Sequence, residues 1–276
     1  MLINTKFDLE EFGDIDSLAK FLEKAEHMRD KLRTRVFFRG HSNITHKLVP
    51  SIGRHSSFGG ATLPYFTFGQ EVTLLHRFRR HVYIHLGKII TDWEALLLAR
   101  HHGLPTRLLD WSMSPLAAIY FSCSGNSGKD GHLWAFARFR ENPDVPSKDM
   151  DIFDAIQKKH RALKKYPTPP TSRTTITNDE IRLVPPITIS PRIVVQGGIF
   201  TWHSNPTVSL DSYAGKTFMK GNLDVQRLYR WHIPASSKRK LLISLERCGV
   251  SQRTLFPDLD GLAASLWQTE VLYQGK

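Results

Sequence analysis

Eleven residues, His101 to Trp111 (HHGLPTRLLDW), crowd two histidines, an arginine and an aspartate around a glycine and a proline. The run before them, Trp93 to Arg100 (WEALLLAR), reads as a buried helical turn or two. After them Ser114 and Pro115 supply an N-cap and first-turn pair for PLAAIYFSC. A polar segment pinned between two apolar elements must be built into the body of the fold. Gly103 admits positive φ and Pro105 fixes its own φ, which predicts a rigid loop holding His102, Thr106, Arg107 and Asp110 in fixed relative positions. The plainer reading pairs Arg107 with Asp110 and sets the histidines at a helix end. The density of the cluster favours binding or catalysis.

The chain has 276 residues, 41% hydrophobic and 23% charged, enough for one large globular domain with a substantial core. A single domain over residues 1–276 is expected. Cys123 and Cys248 both lie in apolar surroundings, without a disulfide framework or zinc spacing, which fits a reducing cytoplasm. The first residues carry acids and no extended apolar stretch, and nowhere is an apolar run long enough to cross a bilayer, so no membrane partner is expected. A net charge of +12 favours polyanionic partners, nucleic acid among them. Part of that charge sits in KKHRALKK (Lys158 to Lys165) and SKRK (Ser237 to Lys240), runs that equally suit solvated helix faces.

Apolar spacing of three and four after Asp16 predicts a first helix through Leu18, Phe21, Leu22, Ala25, Met28 and Leu32. Arg35 to Gly40 (RVFFRG) reads as a strand with Arg39 at its edge. Ser51 to Gly69 is loop-like, and Gln70 to Leu86 is helical with Glu71 in its first turn. Strands are expected at His132–Phe139 and Leu228–Ile233, and helices at Ser236–Cys248, ended by Gly249, and Leu259–Leu266. In Arg192 to Trp202 (RIVVQGGIFTW) a strand composition is interrupted by Gly197 and Gly198, which predicts a bulge or a close approach. Seven prolines between Asn142 and Pro186 frame a basic stretch, expected to be an insertion or lid.

FFRG (Phe37 to Gly40), HHGLPTRLLDWSMSPLAAIYF (His101 to Phe121), RIVVQGGIF (Arg192 to Phe200) and FPDLDGLA (Phe256 to Ala263) resemble the FRG domain family. The blocks span nearly the whole chain, and the central one is specific. One departure is visible: the family's third block usually has paired glutamines before glycine, where this chain has Gln196, Gly197 and Gly198. Members of this family often look like stress or phage-defence components, so the resemblance implies a toxin or antiphage-defence effector, with an antitoxin or regulatory partner.

By fold-level analogy the expected architecture is α+β, a mixed and largely antiparallel split sheet with surrounding helices like that of ADP-ribosyltransferases. Such a fold would bind NAD as substrate, without metal, and transfer ADP-ribose to a nucleic-acid or protein acceptor. This chemistry needs a cation for the pyrophosphate, a site for nicotinamide and a carboxylate beside the oxocarbenium-like ribose. Arg39 suits the phosphate or ribose, with Arg107 as a second cation. His102, Gly103 and Thr106 suit nicotinamide or ribose hydroxyls; Gln196 suits substrate contact, and Phe200 or Trp111 stacking. Asp110 and Glu71 rank first as the carboxylate, ahead of Asp258, Asp260 and Glu270. The plainer readings pair Arg39 with Asp110, let Gln196 satisfy backbone groups and make Asp258 a helix N-cap. The alternative function is a nucleic-acid-binding module using the basic insertion, or a metal-dependent nuclease using His101, His102 and Asp110.

Overall fold

The computed structural model describes residues 4–32, 35–54, 56–58, 61–63, 68–137, 181–184, 191–219 and 227–274. Most of the Pro-rich insertion expected at 142–186 lies outside these residues. In chain order the elements are β1 (Asn4–Lys6), β2 (Asp8–Asp14), α1 (Leu18–Leu32), β3 (Val36–His41), β4 (Ser56–Phe58), β5 (Ala61–Leu63), α2 (Phe68–Leu86) and α3 (Asp92–His101). They continue as β6 (Leu108–Ser112), α4 (Pro115–Cys123), β7 (Gly131–Ala137), β8 (Ile181–Val184), α5 (Pro191–Val195), β9 (Gly198–His203), β10 (Thr217–Met219) and β11 (Arg227–Ile233), and end with α6 (Ala235–Arg247), α7 (Gln252–Leu255) and α8 (Leu259–Gln274).

Local chemistry accounts for the two helices around the central motif. Thr91 and Glu94 form a reciprocal capping box that starts α3, and Ser114 accepts from the Ala117 amide with Pro115 in the first turn of α4. Between α3 and the strand that follows it only residues 102–107 are loop. Leu108 to Ser112 form a strand, so the rigid loop expected through Trp111 is half the predicted length.

One seven-stranded sheet has the order β2-β11-β7-β3-β6-β9-β8; β2 runs parallel to β11 and every other neighbouring pair is antiparallel. The expected α+β class with a mixed, largely antiparallel sheet is therefore observed. By strand alternation Phe38 and Leu108 lie on one face. There α1, α4 and α6 cover β3, β7 and β11 through Phe21, Ile119, Leu241 and Trp231, while α2 and α3 pack on Leu108, Phe200 and Trp202. The opposite face, with Phe37, Trp134, Phe136 and Trp111, is covered by the chain around Leu48 and by a 3-10 turn at Leu210–Tyr213.

The sheet forks between β3 and β6, which share the single register pair Phe38–Ser112. The next ladder step would join Gly40 to Asp110; instead the Asp110 carbonyl accepts from the Arg39 guanidinium at 2.6 Å. Gly40 is drawn against α4 so closely that a Cβ there would lie 2.1 Å from the Ala118 carbonyl oxygen and 2.5 Å from the Ser122 nitrogen.

Two readings of the sequence are corrected. Gly197 and Gly198 do not interrupt a strand: residues 191–195 are helical, Gly197 takes φ +55° as the chain turns, and β9 starts at Gly198. Cys123 is buried as expected, but Cys248 is exposed.

Gly40→Ala is expected to cost about 3 kcal/mol, because backbone rather than a mobile side chain occupies the space. In a chain of this size this lowers the Tm by roughly 5–10 °C in a thermal unfolding scan. An unchanged Tm would show that β3 and α4 can separate freely.

Candidate functional site

A cleft of about 790 Å³ opens over the fork, between the layers that α3 and α4 cover. Its size suits a small-molecule ligand. The end of β3 supplies Arg39, Gly40 and His41, α3 supplies Arg100 and His101, β6 supplies Asp110, and α5 with the turn after it supplies Arg192 and Gln196.

Asp110 is the anchor. Arg100 grips its carboxylate with Nε at 2.9 Å from Oδ1, and its second nitrogen, NH2, closes on Oδ2. Arg100 also donates to Ser51 Oγ at 3.1 Å. Arg39 adds a longer contact, 3.5 Å to Oδ2, beside its bond to the Asp110 carbonyl. Burial pushes the Asp110 carboxyl up, but the charge and hydrogen bonds of Arg100, followed by Arg39, hold it below the usual carboxylate range. It is ionised at neutral pH. Burial lowers the Arg39 guanidinium to about 10, opposed by Asp110 and aided by Arg54 and Arg100, so Arg39 stays charged at neutral pH.

Arg39 Nε donates to His41 Nε2 at 3.1 Å. That imidazole is 5% exposed, and desolvation, then Arg39, push it down to about 2, so it is neutral. Arg54 donates to the Val49 carbonyl at 2.8 Å, and the Arg192 guanidinium lies 4.2 Å over the Phe256 ring. Four guanidiniums, Arg39, Arg54, Arg100 and Arg192, therefore line the cleft against one carboxylate, Asp110, among the described residues.

The structure brings together Arg39, His102, Gly103, Asp110, Gln196 and Phe200 at this cleft. It places Glu71, Thr106 and Arg107 elsewhere. Arg107 and Glu71 form a bidentate ion pair with side chains 3% and 8% exposed, and Arg107 also donates to the His203 and Ser204 carbonyls. This ties α2 to the end of β9 and leaves Glu71 unable to face a substrate. Thr106 is buried against Ser51, whose hydroxyl accepts its amide at 3.1 Å. The pairing of Arg107 with Asp110 is thus replaced by two separate pairs.

Several plainer readings hold alongside the functional ones. Arg39 does pair with Asp110, Gln196 Nε2 donates to the Leu255 carbonyl at 3.0 Å, and Asp258 caps α8 by accepting from the Gly261 amide at 2.7 Å. Trp111 is buried, its indole N–H donating to Thr201 Oγ1 at 3.0 Å, and Glu270 is exposed on α8. Sequence reasoning missed Arg100, Arg54 and Arg192 as site residues. Arg100 closes an apolar helix and its partner lies ten residues on, across a turn; the signal available was a basic residue in the last turn of that helix. Arg54 and Arg192 carried no local signal.

Residues 34–131 match the FRG domain. The matched segment runs from just before β3 to the first residue of β7 and contains Arg39, Arg54, Arg100 and Asp110; Arg192, Gln196, Phe200 and the block at 256–263 lie outside it. No curated protein and no solved structure matches the chain. Among the described residues no helix is long and apolar enough to cross a membrane, and no three His, Cys, Asp or Glu side chains group as metal ligands.

Glu71→Leu leaves the Arg107 charge buried without its partner and is expected to cost 3–5 kcal/mol in urea unfolding, roughly the penalty for breaking a buried pair. Anion binding by the remaining folded protein is expected to be unchanged, which separates this pair from the cleft.

Proposed function

We propose that the cleft binds the pyrophosphate of a dinucleotide of the NAD class and that the chain transfers its ADP-ribosyl group. The observation that carries this reading is the excess of guanidinium over carboxylate charge in the cleft among the described residues. Arginine forks suit phosphate oxygens, and their interaction is strengthened where water is scarce. Arg39 and Arg192, both lining the cleft, are the cations assigned to the two phosphates. Asp110 serves first to aim Arg100 and Arg39, and it is the carboxylate assigned to face the ribose.

In the reaction the C1′–N bond to nicotinamide breaks and its electron pair leaves with nicotinamide. A nucleophilic oxygen or nitrogen of the acceptor bonds to C1′ and its proton passes to solvent. The net charge of +12 suits a nucleic-acid acceptor. Because NAD consumption harms a cell, a toxin or defence role with a regulatory partner follows from this chemistry. The reading as a nucleic-acid-binding module draws support from a different surface, where Arg77 and Arg80 are exposed with His76, His81 and His85 along α2.

Nicotinamide release from NAD by the purified chain, with and without nucleic acid, tests the proposal. Release is expected in the wild type and about 100-fold slower release in Arg39→Ala of unchanged circular dichroism, the usual loss for one preorganised charge contact. Absence of release under every condition, with salt-sensitive nucleic-acid binding, would overturn it in favour of the binding module.

A further inference from the structure

Arg54 is a guanidinium of the cleft to which the proposed reaction assigns nothing. It follows the 3-10 turn Ser51–Gly53 and lines the cleft together with Ser42, His46 and Ser124. Its Nε donates to the Val49 carbonyl at 2.8 Å, which holds the guanidinium and leaves both terminal nitrogens without a hydrogen-bond or ion-pair partner among the described residues. The Ser42 hydroxyl accepts from Asn126 Nδ2 at 3.1 Å and keeps its own proton to donate. Burial, then the charges of Arg54, Arg39, Lys129 and Lys238, push the His46 imidazole below its usual range, so it adds no charge at neutral pH.

Resting on the reading of the cleft as an NAD-class site, we infer that Arg54, with the Ser42 and Ser124 hydroxyls, receives a third phosphate, and that the dinucleotide bringing it is the 2′-phosphorylated form, NADP. Charge favours this form. Four guanidiniums against Asp110 leave three positive charges among the described lining residues, or two if Asp258, which caps α8 and acts on Arg192, is counted. The pyrophosphate of NAD brings two negative charges and its oxidised nicotinamide ring returns one positive charge, so bound NAD leaves the cleft positive. A 2′-phosphate adds about one and a half to two negative charges at neutral pH.

Position favours it too. The 2′-phosphate is carried on a ribose bonded directly to the pyrophosphate, so a dinucleotide held at Arg39 brings it to a neighbouring cation. Arg54 is that neighbour: after Asp110, its charge acts most on Arg39, ahead of Arg100. Arg54 and Arg192 do not perturb each other, so the cations are spread along the cleft rather than gathered at one point. A carboxylate reads the free 2′-hydroxyl of NAD, and an arginine accommodates the 2′-phosphate of NADP. Asp110 is engaged by Arg100 and assigned to the nicotinamide ribose, and no second carboxylate lines the cleft among the described residues.

Calorimetric titration of the full chain with NAD and with NADP, at the same low salt, tests this in the wild type and in Arg54→Gln of unchanged circular dichroism. The wild type is expected to bind NADP about tenfold more tightly than NAD, and Arg54→Gln to erase that preference by weakening NADP far more than NAD. Equal binding of the two by the wild type, a preference for NAD, or equal weakening of both in the variant would overturn the third-phosphate site and leave the NAD-class reading standing. Failure of both dinucleotides to bind would overturn the two together.

Discussion

Asp110 joins three parts of the fold, the ends of α3 and β3 and the strand β6. Its carboxylate holds Arg100 at the end of α3, its carbonyl holds Arg39 at the end of β3, and its strand β6 borders the fork between them. A charged pair on a half-exposed side chain adds modest stability. Its larger effect is directional: it fixes two guanidiniums over a gap in the sheet. With Gly40 drawn onto α4 on one side and Arg100 on the other, the strands part and the cleft opens between the two helical groups. Neutral His41 supports Arg39 without adding positive charge, so the cation excess belongs to the arginines.

The two ion networks do different things, although both pair arginine with carboxylate. Arg107 and Glu71 satisfy each other fully, with backbone carbonyls taking further donors, and nothing is left to meet a ligand. In the cleft the charges do not cancel. This asymmetry, rather than burial alone, distinguishes the cleft cluster from the Arg107–Glu71 pair.

The sequence was most legible where local chemistry decides structure. The Ser114–Pro115 cap, the helix through Phe21, the strand RVFFRG and the Gly249 helix end all express short-range preferences, and all are observed. Strand β2 was not legible because DLEEFGD has little apolar alternation; it is held by parallel pairing to β11, more than two hundred residues away in the chain. β6 was masked by the polar residues on both sides of it. For the site, residue types pointed to Arg39, His102 and Asp110, but the choice of partners is tertiary: Arg107 meets Glu71 36 positions away, and Asp110 meets Arg100 across a turn. No spacing rule distinguishes those pairings.

The central claim is that the cleft is built to receive phosphate charge. Calorimetric titration with inorganic pyrophosphate at low and moderate salt tests it most directly, comparing the wild type with Arg192→Gln, which removes a cleft cation outside the Asp110 pairing. Saturable binding near one site per chain, weakened by salt and at least tenfold weaker in the variant, is the result predicted. No binding at low salt, or binding indifferent to Arg192, would contradict it.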